Sequence, residues 1–152
     1  MGDRISVTVT DGTRTSPTLY CHWAGLRALK VVHDAAAEPY NDIHNLMCNI
    51  VVKAMCGECN KASFYLYNTG ECFGASEWDN YDWTFNCRTK TWTTDYPGFK
   101  DTELTMQQVE DFVRKERPCL YRECPCEDYN DPEKHCLKRF NDSLYKCREG
   151  SQ

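Results

Sequence analysis

Apolar and polar residues alternate strictly over Ile5-Ser6-Val7-Thr8-Val9, the two-residue period of a strand with one buried face. Asp11-Gly12 follows, a dipeptide suited to the positive φ of a tight turn. Alternation resumes after Pro17, which is tolerated at the first position of a strand. It sets Leu19, Cys21 and Trp23 on one side and Tyr20 and His22 on the other. These two runs predict a β-hairpin or a wide β-loop.

Beyond Gly25 the period lengthens: Leu26, Leu29, Val32 or His33, and Ala36 recur at helical spacing. This helix is predicted to stop near Glu38, because Pro39 disfavours helical geometry at the residue before it. Asn41 or Asp42 can cap a second helix that carries Ile43, Leu46, Met47, Ile50, Val51, Ala54 and Met55, with Gly57 at its end. Further strands are predicted over Ser63–Tyr67, Trp83–Arg88 and Thr91–Tyr96, with a loop between Gly70 and Asp82 and a stop to the sheet at Pro97-Gly98. Thr105 and Gln108 form a capping-box signature for a helix over Met106–Glu116 that buries Met106, Val109, Phe112 and Val113. Asp131-Pro132 marks the start of a fourth helix with Cys136, Phe140, Leu144 and Cys147 on one face. The order ββααβββαα predicts an α+β fold, a mostly antiparallel sheet of about five strands with helices packed on it. We expect one domain over 1–152, with the α+β core in 1–100 and a helical, cysteine-rich extension in 101–152.

Composition narrows the function. With 41% hydrophobic and 27% charged residues, the chain has the balance of an ordinary folded domain. The formal net charge of -5 is spread along the chain, so the basic face of a bulk nucleic-acid binder is not expected. A few converging arginines can still hold a small phosphorylated ligand. Met1-Gly2-Asp3-Arg4 leads straight into the first strand without a basic and apolar leader, and no apolar run approaches the ~20 residues of a membrane span. The expected location is the cytoplasm.

Eleven cysteines are many for a chain of 152 residues in a reducing compartment, and an odd number cannot all pair internally. Cys119, Cys124, Cys126, Cys136 and Cys147 supply enough thiolates for a structural zinc, although the spacing C-x4-C-x-C-x9-C-x10-C lacks paired C-x2-C knuckles. A disulfide-bonded loop and reduced thiols are the alternatives, and the closely spaced cysteine run of an iron–sulfur site is not present. Cys56-Gly57-Glu58-Cys59 falls at the C-terminal end of a helix, the wrong pole for lowering a thiol pKa. Together with Cys48 it is read as small thiols buried in helix packing.

His22 and Trp23 lie beside Tyr20 and Arg27, and with Tyr67, Asn68 and Arg88 they make a candidate ligand-binding set. Aromatic rings stack on a base, and arginines make charge-assisted bonds to phosphate. Each residue also has a purely structural reading in sheet packing. The four histidines give no spacing that proves a base-assisted nucleophile.

The run Ser16–Gly25, with Ser63–Thr69 and Trp92–Asp95, resembles a group of small uncharacterised prokaryotic and phage-associated proteins that share a Leu-Tyr-x-His-Trp-x-Gly element. The resemblance covers about residues 1–100 and implies context rather than catalytic residues: an accessory protein of a mobile element. The expected function is a non-catalytic binding protein that sequesters a nucleotide-like signal or a host defence protein, with a homo-oligomer an open possibility. Two alternatives stand beside it. One is a metal-assisted hydrolase using His22 with Asp79 or Asp82, and the other is a zinc-stapled interaction module.

Overall fold

The computed structural model describes residues 3–22, 24–56, 64–67, 80–117 and 120. The chain divides into two compact units, Met1–Val113 and Arg114–Gln152, and the fold described here is that of the first. Its elements follow in the order β1 (Ile5–Thr10), β2 (Thr18–Cys21), α1 (Arg27–Ala36), α2 (Ile43–Cys56), β3 (Phe64–Tyr67), β4 (Asp82–Asn86), β5 (Thr91–Thr94), β6 (Leu104–Thr105) and α3 (Met106–Glu116), the last helix continuing past the unit boundary. The fold is α+β.

The strands form one mixed sheet in the spatial order β3-β2-β1-β4-β5-β6. Neighbours are antiparallel except at the centre, where β1 and β4 run parallel with Val7 opposite Trp83 and Val9 opposite Phe85. β6 departs from the expected stop at Pro97-Gly98. Its two residues pair with Thr91 and Trp92, and so short a strand leaves no alternation to detect. β2 ends at Cys21, and the Trp23 to which the predicted strand extended lies outside the described residues, as does the predicted fourth helix.

Alternation decides which face is buried. Ile5, Val7, Val9, Cys21, Phe85 and Trp92 are fully buried and Leu19 and Trp83 nearly so, all on one face of the sheet. α1 reaches that face through His33 against Trp92, and α3 through Phe112 stacked on Trp83. α2 lies against α1 and β1 and buries Ile43, Leu46, Met47, Ile50 and Ala54. Each fully buried aliphatic or phenylalanine side chain contributes on the order of 1.5–3 kcal/mol. The surface ion pairs Arg14–Asp11, Lys30–Asp34 and Lys53–Glu38 contribute about 0–1 kcal/mol each, so apolar burial dominates.

One cysteine corrects the sequence reading. Cys48 is exposed on α2 rather than buried in helix packing, because the buried stripe runs through Leu46, Met47 and Ile50 and leaves position 48 on the outer side. Among the described residues Cys21 and Cys87 are the buried thiols, and burial pushes the Cys87 thiol up from its ordinary value.

The start of α3 is fixed by local chemistry. The Thr105 amide donates to Gln108 Oε1 at 2.8 Å, while the Gln108 amide donates to Thr105 Oγ1 at 3.2 Å, a reciprocal capping box. Thr105 is exposed, so its loss leaves the core intact. Thr105→Ala is expected to destabilise the fold by about 1 kcal/mol in urea titrations, with Thr105→Ser restoring most of it. Equal stability of the alanine and serine variants would show that the box is dispensable.

Candidate functional site

The polar face of the sheet is ordered by register. On one level Thr18, Thr8, Thr84 and Thr93 stand on four successive strands, with the Thr8 and Thr18 hydroxyls 3.0 Å apart. One level along, Tyr20 on β2 stands opposite Ser6 on β1, which stands beside Asp82 on β4. Tyr65 is the register partner of Tyr20, and Tyr67 that of Thr18.

Beyond Tyr20 in the same chain, His22 returns to that face. The Tyr20 hydroxyl and His22 Nδ1 are 3.1 Å apart, a hydrogen bond in which either group can donate according to the histidine tautomer. The two rings meet edge to face with centroids 6.1 Å apart, and both residues are half-buried. On the other side of Tyr20, the buried Ser6 hydroxyl donates to Asp82 Oδ1. Thr94 Oγ1 donates to the Asp82 carbonyl at 2.8 Å, tying the row to β5.

A second junction sets where His22 ends and α1 begins. Gly25 sits at φ +52°, a left-handed conformation that residues with a Cβ adopt only under strain. Its amide donates to the Asp3 carbonyl at 2.8 Å, and a Cβ placed on Gly25 would overlap the Asp3 carboxylate. That carboxylate lies at the N-terminal approach to α1, where negative charge is favoured. Asn80 locks it there. Its Nδ2 donates to Asp3 Oδ1 at 2.7 Å and to the Arg4 carbonyl at 3.1 Å, while its own carbonyl accepts from Trp83 Nε1 at 2.7 Å.

The arrangement brings together some of the residues named from the sequence and separates others. Tyr20 and His22 are joined directly, and Arg27, half-buried, opens α1 five residues after His22. Arg88 is not part of this group. It follows β4 at the Thr10–Asn86 end of the sheet, whereas His22 follows Cys21 at the Ile5 end, roughly 16 Å away along the strands. Trp23, Asn68 and Asp79 lie outside the described residues, as do Cys119, Cys124, Cys126, Cys136 and Cys147. Among the described residues no group of three or more His, Cys, Asp or Glu side chains is placed to hold a metal ion.

The geometry also limits the chemistry. A base-assisted serine needs a histidine hydrogen-bonded to its hydroxyl. Ser6 instead donates directly to Asp82, and His22 is paired with Tyr20. His22 follows β2 and Asp82 opens β4, with β1 lying between the two strands, which are about 10 Å apart across the sheet. What the face presents is hydroxyl groups, an imidazole and a tyrosine ring, a set suited to hydrogen bonding and ring contact. Ser6, Asp3 and Asn80 were not singled out in the sequence. The alternation marks Ser6 as outward-facing, but its neighbours depend on a strand order that periodicity does not encode.

No helix among the described residues is long and apolar enough to cross a membrane. No protein-family model, no curated protein and no solved structure matches this chain.

The Gly25–Asp3 junction makes a separable prediction. Gly25→Ala is expected to cost about 1–3 kcal/mol from backbone strain, with a further penalty from the displaced carboxylate. The Asp3→Ala, Gly25→Ala double variant removes the overlap, so its cost falls below the sum of the single costs by at least ~0.5 kcal/mol. Strict additivity in a denaturation cycle would contradict the contact.

Proposed function

We propose that this chain is a non-catalytic binding protein that sequesters a nucleotide-like small molecule at the Tyr20–His22 end of the polar sheet face. The observation that supports this reading is the direct pairing of the two rings beside a row of hydroxyls. Tyrosine and histidine rings are both suited to contact with a base, and hydroxyls answer the donors and acceptors of a base or sugar. Arg27, close by in the chain, supplies a guanidinium for a phosphate. The absence of a Ser6–His22 hydrogen bond argues against turnover by a base-assisted serine.

The resemblance of the Leu-Tyr-x-His-Trp-x-Gly element to phage-associated proteins supports a biological setting. In that setting the protein is an accessory of a mobile element that withholds a signal from its host's defence. Binding is stoichiometric and the ligand is left unchanged.

Thermal denaturation with a panel of nucleoside mono- and diphosphates tests the reading, together with heat extraction of the purified protein for retained nucleotide. A ligand at 100 times its Kd stabilises by about 2.7 kcal/mol, a rise in Tm of several degrees for a domain of this size. His22→Ala is expected to lower affinity at least tenfold, and Tyr20→Phe, which removes the hydroxyl but keeps the ring, to lower it less. No shift with any nucleotide at millimolar concentration, and no nucleotide in the extract, would refute the proposal.

A further inference from the structure

The apolar core contains one titratable ring that the binding face does not use. His33, in α1, is buried against the sheet, and its Nε2 accepts a hydrogen bond from Trp92 Nε1 at 3.0 Å. An indole N–H only donates, so this Nε2 carries no proton and the imidazole is neutral with its hydrogen on Nδ1. Trp92 is fully buried, with Phe85 at 4.9 Å and Trp83 at 6.0 Å between ring centroids. The bond therefore joins α1 to the aromatic centre of the sheet.

We propose that the His33–Trp92 hydrogen bond is an acid-sensitive latch that holds α1 on the sheet and opens when His33 takes up a second proton. Protonation places an N–H on Nε2, so two donors face each other and the bond cannot form. It also puts a cation on a buried ring packed against Trp92, which disfavours the closed arrangement further.

The charged groups around the ring set the direction. Glu110 on α3 and Asp34 on α1 favour the imidazolium, Lys30 on α1 opposes it, and β5 contributes the uncharged Trp92. Burial outweighs the two carboxylates and holds His33 below its ordinary value of 6.5. The unfolded chain therefore binds more protons than the folded one in the window below that value. The latch's contribution to stability is complete above pH 6.5 and is lost as the pH falls from there toward the folded value. Within the window one extra proton on the unfolded state shifts the unfolding equilibrium by up to about tenfold per pH unit. Leu29 and Val32 of α1 are also buried and do not titrate, so the expected first event is a loosening of α1 over Trp92.

The test compares the full chain with His33→Gln, whose amide oxygen can accept from the Trp92 indole and does not titrate. Wild type is expected to lose stability and near-ultraviolet tryptophan dichroism as the pH is lowered below 6.5. The glutamine variant is expected to stay flat over that range, and parallel pH profiles for the two proteins would overturn the latch. Should the variant fold poorly, nitrogen-15 spectra of the wild type decide. A neutral Nδ1–H tautomer for His33, titrating together with the Trp92 indole N–H resonance, supports the latch. Titration at the ordinary histidine value with an unmoved indole resonance refutes it.

Discussion

The parallel pairing of β1 with β4 is the contact on which the rest of this molecule depends. It joins strands separated by more than seventy residues, with Ser6 and Asp82 76 positions apart in the chain. Closing so long a loop carries an entropic cost that grows only slowly with length, and it must be offset by what the closure buries. The offset lies on the apolar face, where Val7 and Val9 of β1 meet Trp83 and Phe85 of β4, all buried. The same register creates the polar row. Ser6 stands between Tyr20 and Asp82 only because β4 joins the free side of β1.

The chain ends of this pairing are held by polar contacts rather than by more apolar area. Asn80, just before β4, is bound to Asp3 and Arg4, just before β1, and passes the connection on to Trp83 through its carbonyl. Asp3 in turn occupies the space that Gly25 leaves by having no Cβ. A single set of bonds thus fixes the first residues of β1, the approach to β4 and the approach to α1. The glycine of the Leu-Tyr-x-His-Trp-x-Gly element is explained by this junction, and the histidine by its pairing with Tyr20. The element is a strand end, a ring pair and the approach to a helix in seven residues.

Much of the local structure was legible in the sequence. The alternation over Ile5–Val9 and around Leu19–His22 marked β1 and β2, and the Thr105–Gln108 pair located α3 at Met106–Glu116. These signals are local, arising from side-chain direction and end-capping within a few residues. What failed to show was non-local. Strand order placed Arg88 at the far end of the sheet from His22, and no periodicity separates the two ends. Cys48 was read as a packing thiol with the Cys56-Gly57-Glu58-Cys59 motif on the same helix, yet the helical stripe turns it outward. Ser6 became part of the candidate site only through a strand that follows it by 76 positions, and β6 was too short to carry a pattern.

Native-state hydrogen exchange across the central pair tests the account most directly. The amides of Ser6, bonded to the Tyr81 carbonyl, and Cys87, bonded to the Thr10 carbonyl, bracket the β1–β4 junction, while the Ser16 amide, bonded to the Val9 carbonyl, reports the β1–β2 loop. If the parallel pair holds the fold together, Ser6 and Cys87 exchange only through global unfolding, with the free energy and denaturant dependence of the whole domain. Exchange of these two amides at a distinctly lower free energy, with Ser16 still protected, would show that the β1–β2 unit stands without β4 and would contradict the account.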